Sequence, residues 1–308
     1  MAKNTNLTDA KKAKNDEFYT RIEDIEKELK HYKDFFKGKV VFCNCGDAIH
    51  HNFGKYFSMN FEHLGLKKLI CTSFEMDGSH GKVAVYEGDK NGNHIPDSDE
   101  WTTYVLEGNG DFRSAECVEL LKQSDVVVSN PPFSLFREYV AQLMEYGKKF
   151  LIIGNKNAIT YKEIFPLIKD NRLWLGISAP KAYSTPLKEV ENEKTQYKEN
   201  GVVYQKFGNH GWFTNIEHSK RNLPLDLYKR YDAEKYPTYD NYDAINVDKV
   251  TDIPCDYNGV MGVPITFLDK YCPTQFEIVK FRKGDDDKDL YISGHKSIYF
   301  RILIRKIN

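Results

Sequence analysis

Short apolar runs alternate with amphipathic stretches over residues 21–175, and this alternation constrains the fold more than any other feature of the chain. Apolar residues recur at steps of three and four over five stretches: 21–36, 53–64, 115–122, 135–146 and 159–168. Such spacing is typical of helices with one buried face. The apolar runs between them predict strands at 40–42, 69–72, 126–128, 150–153 and 173–175. Short strands separated by helices favour βαβ units. The sequence therefore predicts an α/β fold with a doubly wound, mostly parallel sheet.

The alternation stops near residue 178. Residues 187–200 are highly charged, and the segments after them are rich in Tyr, Asp and Pro, with short apolar patches such as 260–268. A chain of 308 residues is long enough for two modules of about 150 residues each. We therefore predict one domain over 1–178 and a second, irregular α+β region over 179–308.

Composition and sequence pattern argue against membrane-spanning and secreted classes. The longest apolar runs are far shorter than the roughly 20 residues of a membrane span, and residues 1–15 lack the apolar stretch of a secretion signal. Six cysteines form no Cys-x-x-Cys pair, which favours reduced core thiols in a cytoplasmic protein. The balance of 44 basic and 45 acidic residues leaves nucleic-acid binding open, because such binding requires only a local basic face.

The strongest local motif is Ser-Asn-Pro-Pro-Phe at 129–133, directly after a predicted strand. In a doubly wound sheet, ligands bind in the loops at the carboxyl ends of the strands. The two prolines remove backbone donors, and the oxygen of Asn130 beside a proline carbonyl offers two acceptors to one amino group. Phe133 adds a flat face for an aromatic ring. The motif suits the exocyclic amine of a flipped-out base; alternatively, the prolines only end the strand and begin a helix.

Residues 129–168 closely resemble the EcoRI-type adenine-specific modification methylases, which use S-adenosylmethionine (SAM) to methylate adenine in DNA. Three further segments agree with that family: NDEFYT at 15–20, NFEHLGLKKLI at 60–70 and MGVPITFLDKYCPTQFEIVKF at 261–281. The resemblance thus spans nearly the whole chain in the order of the family.

This resemblance implies a Rossmann-like SAM-dependent methyltransferase fold, followed by a C-terminal target-recognition region. The implied reaction is transfer of a methyl group to the N6 amine of a flipped-out adenine in double-stranded DNA. Transfer to an amine from a sulfonium needs no metal and no covalent nucleophile. The expected protein is a monomer, either part of or derived from a restriction–modification system, whose cognate endonuclease shares the recognition site. No membrane partner is expected.

The resemblance also assigns roles to residues. Asn130, Pro131, Pro132 and Phe133 are expected to hold the target adenine. The expected cofactor-binding residues are Phe18, Tyr19 and Thr20, enclosing the methionine end of SAM; Asn44 and Asp47, approaching its methionine part; Asp111, accepting from its adenine amino group; and Phe112, packing on its ring. No residue is expected to bind a metal.

One segment departs from the family pattern and keeps other functions open. The loop after the first long strand has only one glycine, Gly46, and Ala48 and His51 are not the residue types expected there. This departure motivates the alternative of a DNA-binding module that has lost SAM. A second alternative keeps the enzyme but changes its substrate to RNA or to a protein glutamine, because related forms of the Asn-Pro-Pro-Phe motif occur in such methyltransferases.

Two further patterns have structural and functional interpretations. Residues 89–100 carry carboxylates and amides at positions 1, 3, 5, 9 and 12 of a calcium loop, but His94 stands where that loop requires glycine. A polar hairpin tip between strands at 83–86 and 101–106 is the favoured prediction. The adjacent His50 and His51, next to Cys43 and Cys45, could suggest a zinc site, but their spacing matches no closed zinc site. The favoured prediction is a solvent-facing histidine pair with the thiols in the core.

Overall fold

The structure, a computed structural model, describes residues 19–46, 48, 51–282, 289–296 and 299–307. The chain separates into two compact units, each formed from two stretches. Unit 1 comprises Met1–Lys156 and Ser178–Ile216, and unit 2 comprises Asn157–Ile177 and Glu217–Asn308. Residue 178 is one of three points at which the chain passes between the units. The assignment of DNA recognition to residues 179–308 stays a prediction.

The strands in chain order are β1 (Tyr19–Thr20), β2 (Val40–Gly46), β3 (Lys68–Ser73), β4 (Lys82–Tyr86), β5 (Trp101–Val105), β6 (Val126–Ser129), β7 (Lys149–Asn155), β8 (Trp174–Leu175), β9 (Tyr183–Ser184), β10 (Gln196–Glu199), β11 (Val202–Gln205), β12 (His210–Thr214), β13 (Thr238–Tyr239), β14 (Tyr242–Asn246), β15 (Met261–Pro264), β16 (Phe276–Arg282), β17 (Tyr291–Ile292), β18 (His295–Lys296) and β19 (Arg301–Lys306). The α-helices are α1 (Ile22–Leu29), α2 (Lys33–Phe36), α3 (Asn52–Met59), α4 (Phe61–Leu64), α5 (Ala115–Gln123), α6 (Phe136–Glu145) and α7 (Phe165–Lys169). Short 3-10 helices lie at Lys30–Tyr32, Ser98–Glu100, Phe133–Leu135, Lys156–Thr160, Ser219–Asn222, Val250–Asp252 and Ile265–Lys270.

The main sheet of unit 1 orders its strands β5-β4-β3-β2-β6-β7-β12. Its centre is parallel, since β3, β2, β6 and β7 run in one direction. The other pairings, β3 with β4, β4 with β5 and β7 with β12, are antiparallel. The predicted α/β class and the predicted hairpin are therefore present, but the sheet is mixed rather than mostly parallel.

The strand order reverses at β2. The next parallel strand along the chain, β3, pairs on one side of β2, and β6 pairs on the other. In open α/β sheets such a reversal opens a crevice at the carboxyl ends of the strands, where ligands bind. Gly46, Ser73 and Ser129 are the last residues of the three strands at this edge.

The core of unit 1 forms because the parallel strands are apolar and the neighbouring helices bury one face. Val41, Leu69, Val126 and Leu151 are fully buried on adjacent strands. Burial of a side chain of this size contributes roughly 2 kcal/mol. The predicted helix at 21–36 is divided into α1, a 3-10 turn and α2. The buried face that the apolar spacing predicts is nevertheless retained, because Tyr32 is buried in the 3-10 turn.

Two buried carboxylates of α1 bind the segment that begins at Ser178, where the chain returns to unit 1. Glu28 accepts the hydroxyl of Tyr32 at 2.9 Å and both the backbone N–H and the hydroxyl of Ser178 at 2.6 Å. Asp24 accepts the backbone N–H of Lys181 at 2.9 Å. The chain then enters a small antiparallel sheet of order β1-β9-β11-β10, which pairs Thr20 with Tyr183. These bonds anchor β9 beside β1.

Unit 2 is built on a five-stranded sheet of order β13-β14-β15-β19-β16. The β14–β15 pair is parallel and the other pairs are antiparallel. Within the described part of this unit, α7 is the one α-helix, and the remaining helical turns are of the 3-10 type. Nowhere among the described residues is a helix long and apolar enough to cross a membrane.

Candidate functional site

The loop Asn130–Phe133 begins at the reversal of strand order. The hydroxyl of Ser129, at the end of β6, donates to the backbone carbonyl of Asn44 on β2, which ties the loop to the neighbouring strand. The carbonyl of Pro132 accepts the N–H of Leu135 at 2.9 Å, so this carbonyl is committed to the following 3-10 turn. Pro131 is buried, Pro132 is exposed and Phe133 is half-buried. The side-chain oxygen of Asn130 is shielded from solvent.

A chain of contacts joins Asn44 to Phe112, the residue predicted to pack on the adenine ring of SAM. Tyr139 on α6 donates its hydroxyl to the side-chain oxygen of Asn44. The ring of Tyr139 meets that of Phe112 edge-on, with ring centroids 5.0 Å apart. Gln142 of the same helix donates to the carbonyl of Phe112 at 3.1 Å. The structure thus brings Asn44 and Phe112, predicted separately, into contact with the same tyrosine.

The segment Gly110–Phe112 lies against the end of β3 because residue 110 has no side chain. Gly110 has φ +83°, and a Cβ there would come within 1.9 Å of the carbonyl oxygen of Ser73. Asp111 follows, and Arg113 binds its two carboxylate oxygens at 2.9 and 2.7 Å. The Arg113 guanidinium holds the pKa of Asp111 below its usual range. Asp111 therefore stays ionised, as the prediction of an acceptor requires.

The N-terminal element meets the start of α3. Asn52, the first residue of α3, donates its amide to the carbonyl of Thr20 at 2.8 Å. Thr20 is buried, whereas Tyr19 is exposed. Of the predicted cofactor-binding residues, Phe18 and Asp47 lie outside the described residues.

The structure corrects the prediction for His51. The side chain is buried instead of facing solvent, and its Nδ1 accepts the N–H of Gly54 at 3.2 Å, which caps α3. A capping side chain satisfies one of the otherwise free N–H groups at a helix start. The residue type that departs from the family pattern thus has a local structural role. His50 lies outside the described residues.

Three buried side-chain atoms near this element make no hydrogen bond to the described residues: Thr20 Oγ1, His51 Nε2 and Trp212 Nε1. The rings of His51 and Trp212 both contact the ring of Phe53, with centroid distances of 6.2 and 6.1 Å, respectively. Buried polar atoms are rarely left unbonded, so these donors and acceptors are suited to a polar ligand group.

Two residues at the same edge escaped the sequence analysis. Glu75 follows the end of β3 and accepts the hydroxyl of Ser73 at 2.8 Å. His210 begins β12 opposite Asn155, the last residue of β7. Because β12 is antiparallel to β7, its first residue lies at the carboxyl edge of the parallel strands. A polar residue just after a predicted strand could have identified Glu75, but His210 depends on a non-local strand pairing.

The calcium-like segment 89–100 forms the predicted hairpin tip. Two of its carboxylates bond to backbone N–H groups of the tip. Asp89 accepts from Gly92 and His94 at 2.6 and 2.7 Å, and Glu100 accepts from Lys90 at 2.7 Å. No group of three or more His, Cys, Asp or Glu side chains suited to a metal occurs among the described residues.

The mixed α/β sheet, with its polar motif at the reversal of strand order, is consistent with a methyltransferase. The model of the family described as "Adenine-specific methyltransferase EcoRI" matches residues 6–306, and the chain belongs to this family. It is therefore an enzyme of the adenine-specific methyltransferases.

Relatives agree with this assignment over most of their length. The chain is 50% identical over 318 aligned residues to the type II methyltransferase M.EcoRI of Escherichia coli, covering 99% of this chain and 97% of the relative. It is 43% identical over 280 residues to M.MpnI of Mycoplasma pneumoniae, covering 88% and 83%, respectively. It is 42% identical over 277 residues to M.MgeORF184P of Mycoplasma genitalium, covering 88% and 84%. No solved structure matches the chain.

Proposed function

We propose that this chain is a site-specific DNA adenine-N6 methyltransferase that uses SAM and acts on a flipped-out adenine. The observation that carries the proposal is the position of residues 130–133 at the strand-order reversal in a chain of the adenine-specific family. This edge is where a doubly wound, Rossmann-like sheet binds a nucleotide ligand.

The cofactor proposal rests on the polar groups around the reversal. When bound, SAM supplies an electrophilic methyl group on a sulfonium. Thr20 and Asn44 would face its methionine end, where the buried Oγ1 of Thr20 has no bond within the described residues. Asp111 would accept from the adenine amino group, and Phe112 would pack on the adenine ring. Glu75 would accept from ribose hydroxyls, the role of an acidic residue after a strand in nucleotide-binding sheets.

The target-base proposal rests on Asn130 and the two prolines. An acceptor at Asn130 and the carbonyl of Pro131 would hold the two N–H groups of the adenine amine, turning its lone pair toward the methyl group. Phe133 would stack on the base. The N–C bond to N6 would form as the S–C bond of the sulfonium broke, and N6 would then release one proton. Adenine must leave the duplex to reach this edge, at a cost of a few kcal/mol that contacts in the pocket offset.

The DNA partner would be read partly by unit 2. Tyr228 and Arg230 are exposed there, with 81% of Tyr228 accessible to solvent. An exposed tyrosine beside a cation suits stacking and phosphate contact. Tyr231 instead packs against Tyr257, with ring centroids 4.7 Å apart, which favours a structural role. We further propose a monomeric, cytoplasmic enzyme whose recognition site is shared with a restriction endonuclease.

Incubation of the purified chain with unmethylated genomic DNA and methyl-labelled SAM tests this proposal. Nucleoside analysis and methylation-sensitive sequencing should find the label in N6-methyladenine at one short motif. Label transferred to RNA or to protein glutamine, with none in DNA, would contradict it in favour of another substrate. DNA binding with no SAM binding by calorimetry would instead identify a module that has lost the cofactor.

A further inference from the structure

Phe133 lies against a histidine that the motif does not contain. The ring centroid of Phe133 is 4.4 Å from that of His210, with the planes tilted by 57°. His210 also stacks on Phe207, with ring centroids 4.5 Å and planes 23° apart. We name these three residues, Phe133, His210 and Phe207, the aromatic shelf. His210 is its middle member.

The middle ring of the aromatic shelf is fixed in place. His210 is 5% exposed, and its backbone is held in β12 by pairing with Asn155 of β7. Its Nδ1 lies 3.0 Å from the hydroxyl of Tyr183 on β9. Tyr183 is itself buried, and its strand pairs with Thr20. The ring is therefore held by two strands and by a hydrogen bond.

The ring of His210 is also uncharged near neutral pH, because burial lowers its pKa to about 4. An uncharged imidazole packs between two phenyl rings without the cost of burying a charge. The contact with Phe133 is tilted and the contact with Phe207 is stacked, and both are close enough for attraction between aromatic rings.

Phe133 needs such support because the prolines fix the backbone before it but not its side chain. Pro131 and Pro132 restrict the backbone of the loop. The ring of Phe133 remains half-buried, and a half-buried side chain retains rotamer freedom unless a neighbour restricts it. His210 contacts this ring, which also packs against the core of unit 1, so the part of the ring that stays exposed would be available to a base.

We infer that His210 is a positioning residue, which holds Phe133 in the orientation that stacks on the target adenine. The inference rests on the proposed function, since it concerns the same base. His210 acts through Phe133 and need not touch DNA or SAM. Ordering the stacking ring before the base arrives lowers the entropy that must be lost when the base binds.

The variant His210→Leu removes the ring, and His210→Phe keeps one. Phe213→Leu is the matched control, because Phe213 is a buried ring of the same strand that packs on Phe136, at 5.0 Å, and not on the shelf. All variants are compared with the wild type in single-turnover methylation of a duplex carrying the motif found in genomic DNA. A second duplex carries 2-aminopurine at the target position, where fluorescence rises when the base leaves the stack.

His210→Leu should slow methylation about tenfold to a hundredfold, in line with the cost of misplacing a reacting group by about 1 Å. It should alter the fluorescence of bound 2-aminopurine and leave SAM affinity by calorimetry unchanged. His210→Phe should restore the rate to within a few-fold of the wild type, and Phe213→Leu should lower thermal stability without changing the fluorescence signal. If His210→Leu does not fold by circular dichroism, His210→Asn, which keeps a polar atom for Tyr183 but not the ring, takes its place.

An unchanged rate and fluorescence in the ring-less variant would overturn the inference. So would equal losses in His210→Leu and Phe213→Leu, because these would indicate a general effect of stability. Both outcomes leave the proposed function intact, whereas a wild type that forms no N6-methyladenine contradicts the proposed function itself.

Discussion

Two loops of unit 1 carry polar motifs that resemble ligand sites in the sequence, and their polar groups bond differently in the structure. In the hairpin tip at 89–100, the carboxylates turn onto their own backbone, as Glu100 does by accepting the N–H groups of Lys90 and Asp97 at 2.7 and 3.1 Å. In the loop at 130–133, the neighbouring Ser129 bonds instead to Asn44, 85 residues away on another strand.

The number of polar residues in a loop therefore does not by itself identify a ligand site. The side-chain acceptors of the tip bond to the backbone N–H groups of the turn. These N–H groups need such partners because no neighbouring strand pairs with them. The loop at 130–133 has fewer polar side chains, but it lies where the order of the strands reverses. Position in the sheet, rather than polar content, distinguishes the candidate site.

The first prediction tests the structural role of the tip. Glu100→Ala removes a buried carboxylate that accepts three backbone N–H groups and the hydroxyl of Tyr86, so it should lower the free energy of unfolding by about 3 kcal/mol. Urea unfolding measures the change, and methylation by the remaining folded protein should be unaffected. Glu87→Ala is the control: its ion pair with Lys68, at 3.0 Å, is partly exposed and should matter by less than about 1 kcal/mol. Loss of methylation in folded Glu100→Ala would break the comparison.

The second prediction tests the site edge. Asp111→Ala removes the proposed acceptor for the cofactor's adenine and should weaken SAM binding about thirtyfold, or about 2 kcal/mol. Titration calorimetry measures the affinity. Glu138→Ala removes the other carboxylate bound by Arg113, at 3.1 Å, and should leave the affinity unchanged. Equal affinities for Asp111→Ala and the wild type would remove this residue from the cofactor site.

The third prediction uses the pH dependence of stability. The pKa of His210 is about 4 in the folded chain, against an ordinary value of 6.5. As the pH falls, the imidazole of residue 210 therefore gains its proton at a higher pH in the unfolded chain than in the folded chain. His210 should therefore stabilise the fold fully above pH 6.5 and lose that contribution between 6.5 and 4, with about 1.4 kcal/mol lost by pH 5.5. Urea unfolding at pH 7.5 and 5.5 should show this additional loss in the wild type and not in His210→Phe. Equal losses in the two proteins would contradict the buried, uncharged ring.

The smallest effect is expected from calcium. The oxygens of Asp89 and Glu100 are committed to backbone N–H groups, so added calcium chloride should shift the melting temperature by less than about 1 °C. Chelator should have equally little effect. A rise of several degrees that Glu100→Ala abolishes would show a metal site in the tip and reverse the comparison.

The parts of the fold set by local pattern could be predicted from the sequence. The strands β2, β3, β6 and β7 and the β4–β5 hairpin lie where apolar runs predict them, because burial and alternation act over a few residues. The loop at 130–133 was predictable for the same reason, since it directly follows one of those runs.

The remaining features depend on which distant segments pair. β12, at 210–214, joins the main sheet 55 residues after its partner β7 ends at Asn155, and no local pattern specifies that pairing. The contacts of His210 with Phe133 and of Tyr139 with Asn44 also join segments that are far apart in the sequence. His51 was assigned to the surface because a polar pair suggests exposure, whereas the need to cap α3 buries it.

The decisive measurement for the loop at 130–133 compares wild type and Asn130→Ala in single-turnover methylation, with SAM affinity measured on the same preparations. Removal of one preorganised acceptor should slow formation of N6-methyladenine about a hundredfold to a thousandfold, while SAM affinity stays at the wild-type value. Full methylation by Asn130→Ala would contradict the account, because the edge at the strand-order reversal would then not hold the amine that receives the methyl group.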